Sequence, residues 1–144
     1  MLSQTKLILV FLCLAGCSFF ESEINLHASD VVYIYDGDSI TFACIPEYHC
    51  AKNKIKVRVK GVDTPEIKAR CKQERVLARE AKQHTVALLR DAKEITLVIS
   101  DSDPYDRYNR LLAYVYVDGI GLHQSLIRHG LGRSYYGGKR ESWC

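Results

Sequence analysis

The chain has 144 residues, of which 47% are hydrophobic and 26% are charged. This length and composition fit one globular domain with a substantial core, and the absence of any repeated or low-complexity segment excludes a repeat array. The formal net charge is +3, and a surplus of that size does not by itself indicate binding to nucleic acid.

The N-terminal residues have the pattern of an export signal. A single positive charge, Lys6, precedes a continuous apolar run from Leu7 to Ala15. Such a run is too short to span a bilayer as a helix, but its length is typical of a signal-peptide core. We therefore expect residues 1–16 to be a signal peptide.

The run ends in Leu14-Ala15-Gly16-Cys17, which resembles the lipobox of bacterial lipoproteins, where the cysteine is lipidated and becomes the mature N-terminus. This resemblance predicts a lipidated Cys17 and a tether over residues 17–28. Each buried acyl methylene contributes about 0.8 kcal/mol, so several chains would anchor the exported protein to a membrane, facing the periplasm or the cell surface. An ordinary secretory signal, which would give a secreted protein, is the alternative.

Export changes the interpretation of the cysteines. Two of the six lie in the signal or at the lipidation position, which leaves an even number in an oxidising compartment. Cys44 and Cys50 flank a short loop, so a bridge between them is the simplest pairing, and it leaves Cys71 to pair with Cys144. A metal site made of these thiols is the alternative, although their spacing lacks the paired C-x-x-C form of zinc sites.

Strand and helix patterns alternate from residue 29 onwards. In the third strand Ile55, Val57 and Val59 face one side, while lysines and Arg58 face the other. Apolar spacing and the absence of Gly and Pro predict a helix over residues 72–92, and His84 on its apolar stripe is interpreted as a packed residue rather than a catalytic one. The predicted strands cover residues 31–35, 39–44, 54–61, 95–99 and 111–117, and a short second helix covers residues 122–129.

This order predicts an α+β domain, mainly β, over residues 29–144. Three strands, a helix, two strands and a helix match a five-stranded Greek-key OB-fold barrel with one helix after strand three and a short helix after strand five. Such barrels commonly bind oligonucleotides or oligosaccharides, but the fold alone assigns no chemistry.

Clusters of polar side chains follow the strand ends. Each has an ordinary interpretation as a turn or a solvated loop, yet together they supply the carboxylates and cations that metal-assisted phosphoryl chemistry requires. The clusters are Asp36-Gly37-Asp38, Arg58 with Asp63-Thr64-Pro65-Glu66, and Asp106-Arg107-Tyr108-Asn109-Arg110.

From about Val31 to Tyr136 the chain resembles the staphylococcal nuclease (thermonuclease) family. The matching segments occur in the family's order: Asp-Gly-Asp, Val-Asp-Thr-Pro-Glu, the long helix, Asp-x-Tyr-x-Arg-Leu-Leu-Ala-Tyr-Val-Tyr and Leu-Ile-Arg-His-Gly-Leu. The resemblance implies that Asp38, Asp63 and the backbone carbonyl of Thr64 bind Ca²⁺, for which oxygen-only ligands are suitable.

The same resemblance assigns the catalytic residues. Arg58 and Arg110 are expected to fork onto phosphate oxygens, and Glu66 to act as the general base or to position the attacking water. Tyr108 and Tyr136 are expected to contact the substrate, with packing at the rim of the barrel as the alternative.

The implied activity is calcium-dependent, sugar-nonspecific hydrolysis of phosphodiester bonds in DNA and RNA, leaving 3′-phosphates, by a monomeric protein. A non-catalytic OB-fold lipoprotein that binds nucleic acid is the alternative, and a purely structural lipoprotein is a third interpretation. Presence of the acidic and arginine positions favours the enzyme, because domains that only bind typically lose them.

The chain departs from the family's archetype in its C-terminal part. The archetype's long last helix has no counterpart after Tyr136, and we expect the Cys71–Cys144 bridge to hold this segment instead. The loop between Cys44 and Cys50 is also longer than in the archetype.

Overall fold

The computed structural model describes residues 21–144, which form an α+β domain made mainly of strands. The strands are β1 (Ser22–Leu26), β2 (Val31–Ile34), β3 (Ser39–Ala43), β4 (Lys54–Val59), β5 (Gly61–Asp63), β6 (Ile95–Ile99), β7 (Leu111–Val117), β8 (Ile120–Gly121) and β9 (Arg133–Tyr135). The helices are α1 (Lys72–Arg90) and α2 (Leu122–Arg128), and a 3-10 turn covers Ala28–Asp30. In this part of the chain, the helices are too short or too polar to cross a membrane.

The main sheet has seven strands and is not a closed barrel. Its order is β1-β6-β7-β4-β3-β2, with β8 paired to β7. Neighbouring strands are antiparallel except β4 and β7, which are parallel. Their paired residues run from Val57–Leu111 to Val59–Ala113. The predicted α+β class and the central strands are thus confirmed, whereas the sheet has seven strands instead of the predicted five and is not a closed barrel.

The predicted third strand, residues 54–61, belongs to two strands in the structure, which is one reason why the predicted number of strands is too low. Gly61 has a φ of +86°, a left-handed conformation that turns the chain and that glycine tolerates without a Cβ clash. The chain therefore leaves the main sheet, and residues 61–63 form β5, which pairs with β9 in a separate two-stranded sheet. This turn places Asp63 at the junction of the two sheets.

The tether predicted over residues 17–28 is also wrong in its described part. Residues 22–26 form β1, an antiparallel edge strand in which Ile24 pairs with Leu97. Ile24 and Leu26 are half-buried against the core, so burial of apolar area stabilises the strand. Residues 1–20, including the predicted signal peptide and the lipidation candidate Cys17, lie outside the described residues.

Helix α1 packs directly behind the Asp36–Asp38 turn. Its buried face consists of Ala78, Ala81, Thr85 and Leu89, with His84 on the edge of that face. The Thr85 hydroxyl donates a 2.8 Å hydrogen bond to the Gly37 carbonyl. Helix and turn are therefore held in fixed register, which matters because the turn carries a candidate metal ligand.

Both predicted disulfides are present in the structure. Cys44 is bonded to Cys50, with their Cα atoms 5.6 Å apart, and Cys71 to Cys144, with their Cα atoms 6.0 Å apart. Cys71 also caps α1, since its sulfur accepts the Glu74 N–H at 3.4 Å. The second bridge therefore ties the segment of residues 136–144, which we call the C-terminal segment, to the start of α1.

Candidate active site

The turn between β2 and β3 buries Asp38 against the end of β5. Asp38 is 4% exposed, and its Oδ2 accepts the Thr64 N–H at 2.9 Å. The Ser39 hydroxyl donates to Oδ1 at 3.2 Å. These contacts leave the carboxylate little rotational freedom.

Asp63 and Thr64 lie at the end of β5, where the chain leaves its pairing with β9. They are 4% and 2% exposed. Asp63 Oδ2 accepts the indole N–H of Trp143 at 3.2 Å. Asp63 Oδ1 lies against two guanidiniums, 3.7 Å from Arg58 Nη2 and 2.5 Å from Arg140 Nη2. Within the described residues, the buried Thr64 Oγ1 has no hydrogen-bond partner, which is unusual in native proteins.

Arg58 projects from the polar face of β4 and joins the two aspartates. Its Nη1 lies 3.1 Å from Asp38 Oδ2 and its Nη2 lies 3.7 Å from Asp63 Oδ1. Nη1 also donates to the carbonyls of Val59 and Val62, at 2.7 Å and 2.9 Å. Since the side chain is only 11% exposed, the guanidinium is fixed above both candidate ligands.

Asp36 adds a further carboxyl group to this buried cluster. Burial, and secondly the charge of Asp38, raise the pKa of Asp36 to about 7. Its Oδ1 accepts the Asp38 N–H at 3.2 Å. The raised pKa favours the neutral form of this carboxyl group, which lowers the total negative charge next to Asp38.

Arg110 is oriented by Asp106 at the other side of the site. The Asp106 carboxylate accepts the backbone N–H groups of Tyr108 and Arg110, both at 2.9 Å, and the Arg110 Nε–H at 2.7 Å. Burial acts to raise the pKa of Asp106, but the hydrogen bonds from Arg110 outweigh it and lower the pKa. Arg110 Nη1 also donates to Ser39 Oγ at 3.3 Å, so Ser39 links Arg110 to Asp38.

Glu66 follows the Asp-Thr-Pro turn and lies half-exposed at the site. Its backbone N–H donates to Glu74 Oε1 at 3.0 Å, which fixes it to the first turn of α1. Its own carboxylate lies 2.5 Å from the Nη1 of Arg140.

One cleft of about 890 Å³ connects these groups. The expected catalytic residues line the cleft, and the expected substrate-contacting tyrosines lie at its mouth. The expected metal ligands are buried beneath Arg58. Tyr108 and Tyr136 are 64% and 73% exposed, so packing at a rim is not their main environment. The cleft is lined by Arg58, Glu66, Tyr108, Arg110, Tyr136 and Arg140, among others.

His84 lies apart from this cleft, as predicted for a packed residue. Its Nε2 is 2.9 Å from Ser125 Oγ, and its ring is 4.5 Å from that of His129. Burial, and secondly the charge of His129, lower the pKa of His84. It therefore joins α1 to α2 as a neutral hydrogen-bonding residue.

Two site residues in the C-terminal segment were not predicted. Arg140 Nη2 lies 2.5 Å from Asp63 Oδ1 and 3.3 Å from the Thr64 carbonyl oxygen. Burial acts to lower the pKa of Arg140, but hydrogen bonds to Glu66 and Asp63 raise it above its ordinary value. Trp143, the second residue, is 9% exposed and lies 3.9 Å from the Arg133 guanidinium. The only sequence signal for either is the neighbouring Cys144.

A family model described as "Staphylococcal nuclease homologue" matches residues 56–142, which is more than half of the chain. The chain belongs to this family. The matched region of this staphylococcal nuclease homologue contains Arg58, Asp63, Glu66, Arg110 and Arg140, whereas Asp38 precedes it.

Several proteins similar to the chain carry nuclease names. It is 34% identical over 101 residues to "Endonuclease YncB" of Bacillus subtilis, covering 70% of this chain and 44% of the relative. It is 36% identical over 80 residues to "SPbeta prophage-derived endonuclease YokF" of the same organism, covering 56% and 27%. An "Uncharacterized endonuclease" of Haemophilus influenzae is 30% identical over 134 residues, covering 91% and 62%. The chain thus spans less than two thirds of the length of each of these relatives.

Proposed function

We propose that this staphylococcal nuclease homologue is a calcium-dependent, sugar-nonspecific nuclease that hydrolyses phosphodiester bonds of DNA and RNA and leaves 3′-phosphates. The observation that carries the proposal is the position of two buried aspartates, Asp38 and Asp63, beneath a cleft whose lining includes Arg58, Arg110 and Glu66. The endonuclease names of the relatives support the same reaction class.

The donor set fits a hard divalent cation, in keeping with a family that is typically metal-dependent. Asp38 and Asp63 offer carboxylate oxygens and Thr64 a backbone carbonyl, and Ca²⁺ prefers ligands of this type. The buried Asp63 Oδ1 lies against two guanidiniums, so its surroundings already favour a cation at this oxygen. When bound, Ca²⁺ would supply positive charge beside the phosphate during hydrolysis.

The two arginines act on the phosphate in this proposal. Each guanidinium presents several N–H donors in a plane, so it can hold two phosphate oxygens and stabilise the charge that develops as water adds to phosphorus. Arg110 is oriented by Asp106 and Ser39, and Arg58 by two backbone carbonyls. Both are therefore preorganised before substrate binds.

Glu66 accepts the proton of the attacking water. The water oxygen forms a bond to phosphorus and its proton passes to the Glu66 carboxylate. The bond from phosphorus to the 5′-oxygen breaks, and that oxygen takes up a proton from solvent to give a 5′-hydroxyl. The phosphate then remains on the 3′-oxygen of the preceding nucleotide. Glu66 suits this role because it lies on the cleft surface with a half-exposed carboxylate.

Tyr108 and Tyr136 supply aromatic surface for nucleotides at the mouth of the cleft. Stacking on such rings tolerates any base, which fits a nuclease with little sequence preference. The Arg107 and Arg110 guanidiniums lie 4.9 Å and 5.5 Å from the Tyr108 ring, so positive charge for the nucleic-acid backbone surrounds this tyrosine.

Export and membrane anchoring complete the proposal. A lipidated Cys17 would hold the enzyme on a membrane, outside the cytoplasm, as a monomer. The disulfides of the described residues agree with an oxidising compartment. Replacement of Cys17 by Ser should release the protein from the membrane fraction, and continued membrane association of that variant would contradict lipidation.

The test of the reaction uses purified residues 18–144 with plasmid DNA and with RNA, in calcium and in chelator. We expect cleavage only with calcium, and ends that a polymerase extends only after phosphatase treatment. Glu66→Gln should abolish most of the activity, while Glu80→Gln, a matched change at an exposed position of α1, should not. Cleavage that survives chelation, or that Glu66→Gln leaves intact, would overturn the assignment.

A further inference from the structure

The C-terminal segment places a permanently charged group on the oxygens that the proposed function assigns to calcium. Arg140 Nη2 lies 2.5 Å from Asp63 Oδ1 and 3.3 Å from the Thr64 carbonyl oxygen. A single nitrogen thus contacts two of the three oxygen donors. The second nitrogen of the guanidinium, Nη1, lies 2.5 Å from Glu66.

A metal ion and this guanidinium cannot occupy the same position. Ca²⁺ binds oxygen at about 2.3–2.6 Å, so an ion shared by Asp63 Oδ1 and the Thr64 carbonyl would lie where Nη2 lies. The side chain of Arg140 must therefore move before both oxygens can bind one ion. Repulsion between two cations separated by a few ångströms acts in the same direction.

The structure gives Arg140 a place to move to. Its side chain is 42% exposed and lines the cleft, whereas Asp38 and Asp63 are buried beneath it. Gly137 and Gly138 precede it with φ values of +108° and +90°, and no atom lies within 4 Å of the position of a Cβ at either. Trp143 and Cys144 anchor the other side of the segment, so the guanidinium can leave while the backbone stays attached.

We propose that Arg140 is the resident cation of the metal site: it neutralises Asp63 and Glu66 when the metal is absent, and calcium binding displaces its guanidinium into the cleft. Arg140 thereby sets the affinity of the site for calcium. This inference rests on the proposed function, because it takes Asp63 and Thr64 as the calcium ligands.

The test compares calcium binding by the wild type, Arg140→Gln and Lys139→Gln, measured by isothermal titration calorimetry on residues 18–144 with intact disulfides. Arg140→Gln should bind calcium about tenfold more tightly, a change within the usual range for coupled binding events. Lys139→Gln removes one exposed positive charge from the neighbouring position, and should change the affinity less than twofold at about 0.15 M salt, where exposed charges are screened. Unchanged or weaker binding by Arg140→Gln, or an equal gain in Lys139→Gln, would overturn the inference.

A second measurement uses the unmodified protein and does not depend on folding of the variant. In the NMR spectrum of the wild type, the Arg140 guanidinium protons should be protected from exchange with water without calcium and lose that protection as calcium is added. Retained protection at saturating calcium would contradict displacement. If the wild type cuts nucleic acid and binds calcium but Arg140→Gln binds calcium no more tightly, the inference about Arg140 is wrong and the proposed function still stands. A wild type that neither binds calcium nor cuts defeats the proposed function as well.

Discussion

Trp143 donates its indole N–H to Asp63 Oδ2 at 3.2 Å, across 80 residues of sequence. The same aspartate pairs with Arg58 from the opposite side. A candidate calcium ligand is thus oriented by a strand residue and by the C-terminal segment. The active site is therefore complete only when the C-terminal segment is docked.

Replacement of Trp143 by Phe should weaken both calcium binding and the fold. The phenyl ring keeps the packing against Arg133, but the buried Asp63 Oδ2 loses its donor. We expect about 1 kcal/mol of lost stability, the usual net value of one hydrogen bond, and a severalfold weaker calcium affinity because Asp63 gains rotational freedom. Urea unfolding and calorimetric titration measure the two effects. Calcium affinity equal to that of the wild type would show that Trp143 does not position the ligand.

Replacement of Arg58 or Arg110 by Lys should lower the rate of nucleic-acid cleavage by about 10²-fold, the typical effect of removing one preorganised donor. A lysine ammonium is a point charge and cannot reproduce the fork that contacts two acceptors at once. Initial rates on plasmid DNA at saturating calcium measure the loss. Arg128→Lys, an exposed change on α2, is the control, and a similar loss there would show that the effect does not come from the site.

The two disulfides should contribute unequally to stability. Constraint of the unfolded chain predicts about 4 kcal/mol for Cys71–Cys144 and about 2 kcal/mol for Cys44–Cys50, because the bridges span 73 and 6 residues. Urea unfolding of the two paired Cys→Ser variants measures this difference. Intact-mass analysis after alkylation, with and without prior reduction, checks the bonds themselves, and free thiols in the unreduced protein would contradict them.

The contribution of His123 to stability should fall as the pH drops below about 6.5, the ordinary pKa of histidine, whereas the raised pKa of Asp36 acts in the opposite direction. Burial lowers the pKa of His123, so at this residue the unfolded chain binds more protons than the native state in this range. His123→Phe keeps the ring between Tyr114 and Tyr116, whose centroids lie 5.2 Å and 6.3 Å away.

On going from about pH 8 to about pH 5, the free energy of unfolding of His123→Phe should therefore rise relative to that of the wild type, because the variant lacks the His123 loss. Asp36 and His84 are present in both proteins, so their contributions cancel in this comparison. Urea titrations at several pH values measure the slope, and equal slopes for both proteins would exclude His123 as a source.

Strands with clear alternation were predictable from the sequence, and short ones were not. Residues 54–59 and 111–117 alternate buried side chains with exposed or half-buried ones over their whole length, which is the strongest local signal for a strand. By contrast, β5, β8 and β9 have two or three residues each. β8 is the short return strand of a hairpin with the end of β7, whereas β5 and β9 pair because the turn at Gly61 brings distant segments together, which no local pattern encodes.

The residues of the candidate site also fall into those that the sequence predicts and those that only the structure identifies. Asp38, Arg58, Asp63 and Glu66 are found by motif, because each follows or ends a strand whose pattern is clear. Arg140 makes its contacts across 74 to 76 residues, in a segment without periodicity. Only tertiary structure could identify it.

Gly37 illustrates how a residue without functional groups can control the chemistry beside it. From the sequence Asp36-Gly37-Asp38 alone, the glycine would be explained by the backbone conformation of a tight turn. A Cβ at this position would instead lie 2.9 Å from Ala81 Cβ and 2.9 Å from Thr64 Cγ2, closer than real Cβ atoms approach. Helix α1, the Asp36–Asp38 turn and the end of β5 meet here with no space left between them. A mutational scan that selects for an intact active site should therefore find almost no tolerated substitution at position 37.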